Sequence, residues 1–335
     1  MICKLLSIEG GGILAIKFLI GLLKISREYD RRGIDFLDFF NVFTGVSSGA
    51  IIASGLALRE RILGDLVRRD EKLMDYLLKE SGYDLNSFRS LKRMLLDGRM
   101  KCSTLIVNFL IYLFKNKSGE IFVLNKNRNR LIEPKYTDDK IKIFKKYINY
   151  DLKDVPQGRY LILKTFNLIE MNINLFSNHK GNNGNKYSTN IAEIVHWSSN
   201  APTYFPNNGI HLDGGNFINS AFYSEKKLFE NDDIIIFNIG SKVSKLQLPI
   251  NNQEYQWVSN IVNIFYNVGK QLDIITNDKY HHLGFDFKNY QLDDISEINT
   301  FIKLAEEINI ESSINFLEKY FNNNNVNNNK KIIKK

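Results

Sequence analysis

Near the start of this chain two strand-to-helix turns built on glycine follow one another, and no other feature constrains its fold as much. The apolar run Lys4 to Ile8 stops abruptly at Glu9-Gly10-Gly11-Gly12, after which Leu14 to Tyr29 carries apolar residues at helical spacing. Phe39 to Thr44 repeats the arrangement, with a tight turn at Gly45-Val46-Ser47-Ser48-Gly49 and a small-residue helix from Ala50 to about Leu58. A strand that leads into a helix must cross over before it can pair again, so two such units in succession predict a parallel sheet flanked by helices. Asp233 to Ile239 is a further strand, apolar on both faces as buried parallel strands are.

The rest of the chain fits around that sheet. Leu58 to Phe114 reads as mostly helical, with charges on one face around Arg59 to Lys72. Tyr160 to Thr165 and Ile173 to Phe176 read as paired strands joined near Glu170, and Val258 to Ile275 and Ile298 to Phe321 as closing helices. No internal repeat and no Pro/Gly-rich linker interrupts residues 1–321, which are expected to form one domain. Beyond Phe321 the chain is asparagine with one valine, ending Lys330-Lys331-Ile332-Ile333-Lys334-Lys335. Such a composition cannot bury enough apolar surface to offset ordering entropy, so 322–335 is expected to be a disordered tail. Its four lysines supply half of the formal charge of +8. The body is therefore only mildly basic, its basic residues are dispersed, and a nucleic-acid partner is not expected. Cys3 and Cys102 are the only cysteines, which excludes a disulfide framework and a Cys-rich zinc site. No apolar run approaches the roughly 18 residues of a membrane span, and Met1-Ile2-Cys3-Lys4 does not open a signal peptide. The expectation is a cytoplasmic protein that can sit peripherally at membranes.

Chemistry concentrates in the second turn. A nucleophilic serine needs a sharp bend that exposes its hydroxyl, and Gly45 and Gly49 around Ser47 permit one, with a strand before and a helix after. The helix N-terminus would favour negative charge on Ser47. A serine also needs a base. Histidines 179, 196, 211, 281 and 282 all lie downstream, as a histidine triad would require, but none sits in a loop signature; His196 falls in a predicted helix and His281-His282 in a polar stretch. The other choice is a carboxylate, and Asp213-Gly214-Gly215 sets one in a glycine-rich turn.

The ordered set Gly10-Gly11-Gly12, Gly45 to Gly49 and Asp213-Gly214-Gly215 resembles the patatin-like phospholipase family. Ser199-Asn200-Ala201-Pro202-Thr203-Tyr204-Phe205-Pro206 resembles the family's stretch before its DGG, Asn219 its downstream asparagine, Ile236 to Ser241 its strand ending in a glycine turn, and Pro134-Lys135-Tyr136 a further segment. The resemblance implies a three-layer α/β sandwich with a central mostly parallel sheet, related in logic to a modified α/β-hydrolase. It also implies roles: Ser47 as nucleophile, Asp213 as base, and the N–H groups of Gly10, Gly11, Gly12 and Ser48 as oxyanion hole. There glycine would spare the substrate oxygen a Cβ. No metal or cofactor is implied. The implied substrates are phospholipids or lysophospholipids, met by peripheral membrane contact.

Members of the family usually carry Asp where this chain has Glu9, a basic residue and glycine where it has Leu14 and Ala15, and Asn-Pro where it has Ser220-Ala221. Lys17, one helical turn after Leu14, is a candidate substitute cation. These departures motivate an alternative, a catalytically weak lipid-binding protein that retains the fold. Leu105 to Phe114 reads as a buried core helix; the alternative is an interfacial segment at the mouth of the site, with Lys115 and Lys117 toward headgroups.

Overall fold

The computed structural model describes residues 2–97, 100–126, 133–179, 188–206, 209–216, 228–229, 233–242, 278–287 and 290–321. Strand β1 (Ile2–Ile8) leads through a 3-10 turn at Gly12–Ala15 into α1 (Ile16–Arg31), and β2 (Val42–Gly45) leads directly into α2 (Ser48–Ala57). Helices α3 (Arg59–Arg69), α4 (Glu71–Glu80), α5 (Phe88–Leu96), α6 (Ser103–Asn116), α7 (Ser118–Ile121) and α8 (Lys140–Tyr147) follow. The remaining elements are β3 (Tyr160–Asn167), β4 (Asn172–Ser177), α9 (Ile191–Ser198), β5 (His211–Asp213), β6 (Asp233–Ser241), β7 (Tyr280–Phe285), α10 (Ile298–Glu306) and α11 (Glu311–Phe321).

The strands form one mixed, mostly parallel sheet in the order β4-β3-β2-β1-β6-β7. Strands β3, β2, β1, β6 and β7 run parallel, while β4 and β5 each pair antiparallel with β3. The chain builds outward from β1 to β2 and β3, then returns to the other side of β1 with β6. That reversal of strand order at β1 is where open α/β sheets bind ligands, beyond the carboxyl ends of their strands.

Alternation along each strand sorts the side chains between two faces. Leu6, Ile8, Phe43, Leu161, Leu163, Phe237 and Ile239 join the large core beneath the helices, and Cys3, Leu5, Val42, Ile162 and Ile236 form a smaller cluster with Phe229. Helix α6 belongs to the large core, with Leu105 to Leu110, Leu113 and Phe114 buried. This agrees with the core reading of Leu105 to Phe114; Phe114 also reaches the cavity described below, and Lys117 at the helix end pairs with Glu120. No helix among the described residues is long and apolar enough to cross a membrane.

Three boundaries differ from expectation. The apolar run from Phe39 begins with a 3-10 turn at Phe36–Phe39, because Asp35 accepts the Leu37 N–H, and strand pairing starts only at Val42. Ile298 to Phe321 is two helices, since the Asn309 side chain accepts the Glu311 N–H and starts a new one. His281 and His282, read as part of a polar stretch, lie within the strand β7. The expected helix at Val258 to Ile275, the positions Asn219, Ser220 and Ala221, and the tail 322–335 lie outside the described residues.

Candidate active site

Strand register brings the two key residues together. Gly45 at the end of β2 is level with Leu163 of β3, but β3 continues to Asn167, and its edge beyond β2 is taken by β5, with Thr165 opposite Asp213. Ser47, two residues past Gly45, therefore arrives where Asp213 stands, two residues further along the same edge. Ser47 and Asp213 line one cavity, close enough that the Ser47 hydroxyl pulls on the Asp213 carboxyl. Ser47 has φ 57° and ψ −129°, a backbone conformation rare for a residue with a side chain and typical of a serine held up on a strand-to-helix elbow.

The glycines of the elbow are there for steric reasons. A Cβ on Gly45 would overlap the Gly49 carbonyl, and one on Gly49 would overlap the carbonyls of Ile8 and Glu9. The turn and the end of β1 are packed backbone against backbone.

The first glycine loop behaves partly as expected. Gly10, Gly11 and Gly12 line the same cavity as Ser47, Ser48, Asp213 and Gly215. The Gly11 N–H donates to the Ser48 hydroxyl at 2.9 Å, which locks the loop to the elbow in the resting state. Gly12 has a further reason to be glycine. Its φ is +54°, and a Cβ there would strike the Leu292 carbonyl, while one on Gly11 would meet the Phe287 ring at 2.9 Å. The closeness of Phe287 and Leu292, not only that of a substrate, demands glycine.

Asp213 is buried, and burial pushes its carboxyl up to about 6 against the opposing pull of the Ser47 hydroxyl, the Gly215 N–H and the Lys140 cation. Gly215 N–H donates to its Oδ1 at 2.8 Å, which aims the second oxygen. None of the five histidines lines the cavity. His196 faces Asp138 at 3.2 Å, His211 contacts the Thr165 hydroxyl at 3.0 Å, His281 the Ser313 hydroxyl at 2.9 Å and His282 the Asn238 amide at 2.8 Å; His179 packs against Tyr160 and Phe229. All are structural.

Two residues of the site were not anticipated. The Ser198 hydroxyl accepts the Ser47 N–H at 3.0 Å and donates to the Lys164 carbonyl at 2.6 Å. Lys140 lines the cavity although only 1% exposed, with Nζ donating to the Ser199 carbonyl at 2.6 Å and lying 3.6 Å from the Phe205 ring centre. Its signal was in the sequence: Lys140, Ile143, Phe144 and Tyr147 occupy one helical stripe, all buried. Lys17, by contrast, is no substitute for the cation missing at Leu14. It is buried against the Asp286 carbonyl and the Tyr290 ring and does not line the cavity, whereas Leu14 does. Glu9 stays out of the chemistry too, its carboxylate accepting the Asn238 amide and the Ser241 N–H.

The cavity has a volume of about 300 Å³. Apart from the polar groups at its floor it is walled by Ile51, Phe114, Phe122, Phe144, Phe205 and Leu292, among other apolar groups. The segments at 134–136 and 203–204 shape one side, Lys135 N–H donating to the Thr203 carbonyl and Tyr136 N–H to that of Tyr204. Tyr136 and Lys135 also hold the Asp293 carboxylate, which fastens the 290s segment across the site.

Fold and site define an α/β protein that presents a serine on a strained strand-to-helix elbow, at the floor of an apolar cavity beyond the carboxyl ends of a parallel sheet. Within that class the family model described as patatin-like phospholipase matches residues 6–225, so the chain belongs to the patatin-like phospholipase family, a family of lipid hydrolases. Among solved structures it is similar to VipD from Legionella pneumophila, at 14% identity over 95% of this chain and 67% of that one, with a TM-score of 0.40. It is also similar to a structure of full-length SpcU in complex with full-length ExoU from the type III secretion system of Pseudomonas aeruginosa, at 14% identity over 81% of this chain and 52% of that one, with a TM-score of 0.26. The chain thus spans about two thirds of the first and half of the second. No curated protein matches it.

Proposed function

We propose that the chain is a metal-independent serine hydrolase that cleaves fatty acyl esters of phospholipids or lysophospholipids through a Ser47–Asp213 dyad. The observation that carries this reading is the placement of the Ser47 hydroxyl and the buried Asp213 carboxylate together in one apolar cavity. Ser47 Oγ attacks the ester carbonyl carbon while Asp213 takes the hydroxyl proton. The oxygen that becomes negative is held by N–H donors of the Gly10–Gly12 loop and Ser48, at the N-terminus of α2. Asp213 returns the proton to the leaving alcohol, leaving Ser47 acylated. It then takes a proton from water, which attacks the acyl carbon and releases the fatty acid as Ser47 recovers its hydrogen. A carboxylate near pKa 6 suits this exchange, being ionised at neutral pH yet basic enough to share a proton.

The apolar wall suits an acyl chain, and a lipid substrate brings the protein to a membrane surface as a peripheral visitor. Incubation with defined phospholipids and lysophospholipids, with and without chelator, tests the reading. Wild type should release fatty acid in both conditions, and Ser47→Ala and Asp213→Asn should not. Lipid bound without turnover, equally by wild type and Ser47→Ala, would instead establish a lipid-binding protein.

A further inference from the structure

Three consecutive residues, Ser198, Ser199 and Asn200, each hold one part of the site. The Ser198 hydroxyl takes the Ser47 N–H, the Ser199 carbonyl takes the Lys140 ammonium, and the Asn200 carbonyl takes the Asp213 N–H at 3.2 Å. Nucleophile, base and a buried cation thus hang on one short strut at the end of α9. Lys140 is an expensive group to put there. It is buried, and as the first residue of α8 its charge is opposed by the helix dipole. A residue needed only to fill the stripe with Ile143, Phe144 and Tyr147 would be apolar.

We propose that Lys140 is a positioning residue of the dyad: anchored on the Ser199 carbonyl, its charge holds Asp213 in the ionised form that accepts the Ser47 proton. The proposal rests on the dyad reading above. Burial brings Lys140 down to about 7, against the pull of Asp213 and then of Asp138, so cation and carboxylate coexist between about pH 6 and 7. Other charged or titratable groups surround the pair. Asp138 precedes α8, and burial pushes its carboxyl up. On α9, burial first, then Lys140 and Lys145, lowers His196 to about 3, so it is neutral in this range; Glu193 of the same helix faces Lys145 of α8. Lys164 of β3 is buried behind Gly214, His211 of β5 contacts Thr165, and Tyr204, raised by burial and then by Asp293, stays a neutral phenol on the cavity wall. Of these, Lys140 is the charge that pulls on Asp213.

The test follows the rate at which Ser47 is labelled by a fluorophosphonate, and the hydrolysis of a soluble short-chain ester, between about pH 5 and 9. Ser47→Ala gives the blank: residual labelling or turnover there would sink the dyad reading itself, whatever Lys140 does. Lys140→Gln keeps a donor for the Ser199 carbonyl but carries no charge, and Lys140→Met keeps only the length. Both should move the acid limb upward by about one unit, giving a roughly fivefold loss near pH 6 that closes above pH 8, where the wild-type lysine is itself uncharged. Lys140→Arg should restore the limb. An unmoved limb in Lys140→Gln, with rate lowered equally at every pH, would overturn the proposal. So would a Lys140→Gln protein that fails to fold, since the residue would then be a structural anchor alone.

Discussion

The carboxylate of Glu9 occupies the space that a side chain on Gly240 would need. A Cβ on Gly240 would overlap the carboxyl group, which accepts the Asn238 amide at 2.9 Å and the Ser241 N–H at 3.1 Å. One buried acid thereby ties the end of β1 to the end of β6, just below the glycine loop.

Gly240→Ala should therefore displace a buried carboxylate from its donors. The expected loss is about 2 to 4 kcal/mol of stability, read from urea denaturation, because the charge is left without its partners. Glu9→Gln should cost less, since an amide can still accept from Asn238. If Gly240→Ala unfolds at the wild-type midpoint, the carboxylate does not need that site.

The elbow makes a sharper demand. Gly49→Ala puts a methyl into the Ile8 and Glu9 carbonyls, so the turn can survive only by moving away from β1. Either soluble protein is lost or Ser47 reacts at least about 100-fold more slowly with a fluorophosphonate, since the proposed oxyanion donors are carried by the loop that follows β1. Labelling at the wild-type rate would mean that the loop and elbow are not mechanically joined.

Much of this was legible in the sequence, because glycine spacing records backbone approach directly. Gly10–Gly12, Gly45, Gly49 and Asp213–Gly215 announce turns whatever the rest of the chain does, and β1, β2 and β6 announce themselves by apolar runs, as the parallel strand β7 with its two histidines does not. What was hidden depends on pairings that no local pattern encodes. That β5 takes up the edge of β3 vacated by β2 cannot be read from three residues, His211 to Asp213. Lys140 follows Asp138-Asp139 at the start of a helix, and only the burial of its stripe with Ile143, Phe144 and Tyr147 sets it apart from a solvated charge. Ser198 ends a helix as many serines do, and only the arrival of Ser47 N–H gives it a task.

Asp213 links activity to pH and stability in opposite senses. Its pKa is raised in the folded protein to about 6, so the protonated form is the one that folding favours. That contribution is complete below the unfolded value near 4 and is lost as pH rises through about 6, leaving an ionised buried group that destabilises the neutral-pH protein. Activity should rise through the same interval as the base ionises. Asp213→Asn should abolish turnover yet raise stability near pH 8 by up to about 3 kcal/mol, with the gain vanishing near pH 4. A variant that melts below wild type at pH 8 would contradict this.

The cavity wall sets an expectation for chain length. Ile51, Phe114, Phe144 and Phe205 offer apolar surface beside Ser47, and each methylene that leaves water contributes about 0.8 kcal/mol, close to fourfold. Across a series of p-nitrophenyl esters, kcat/KM should climb by about that factor per carbon and level off once the space of about 300 Å³ is full. Ile51→Phe narrows the wall without adding charge, so it should bring the plateau to shorter chains while the shortest ester is hydrolysed at the wild-type rate. A uniform fall across all chain lengths would mean that the new ring disturbs the elbow, and an unchanged plateau would mean that the acyl chain lies elsewhere.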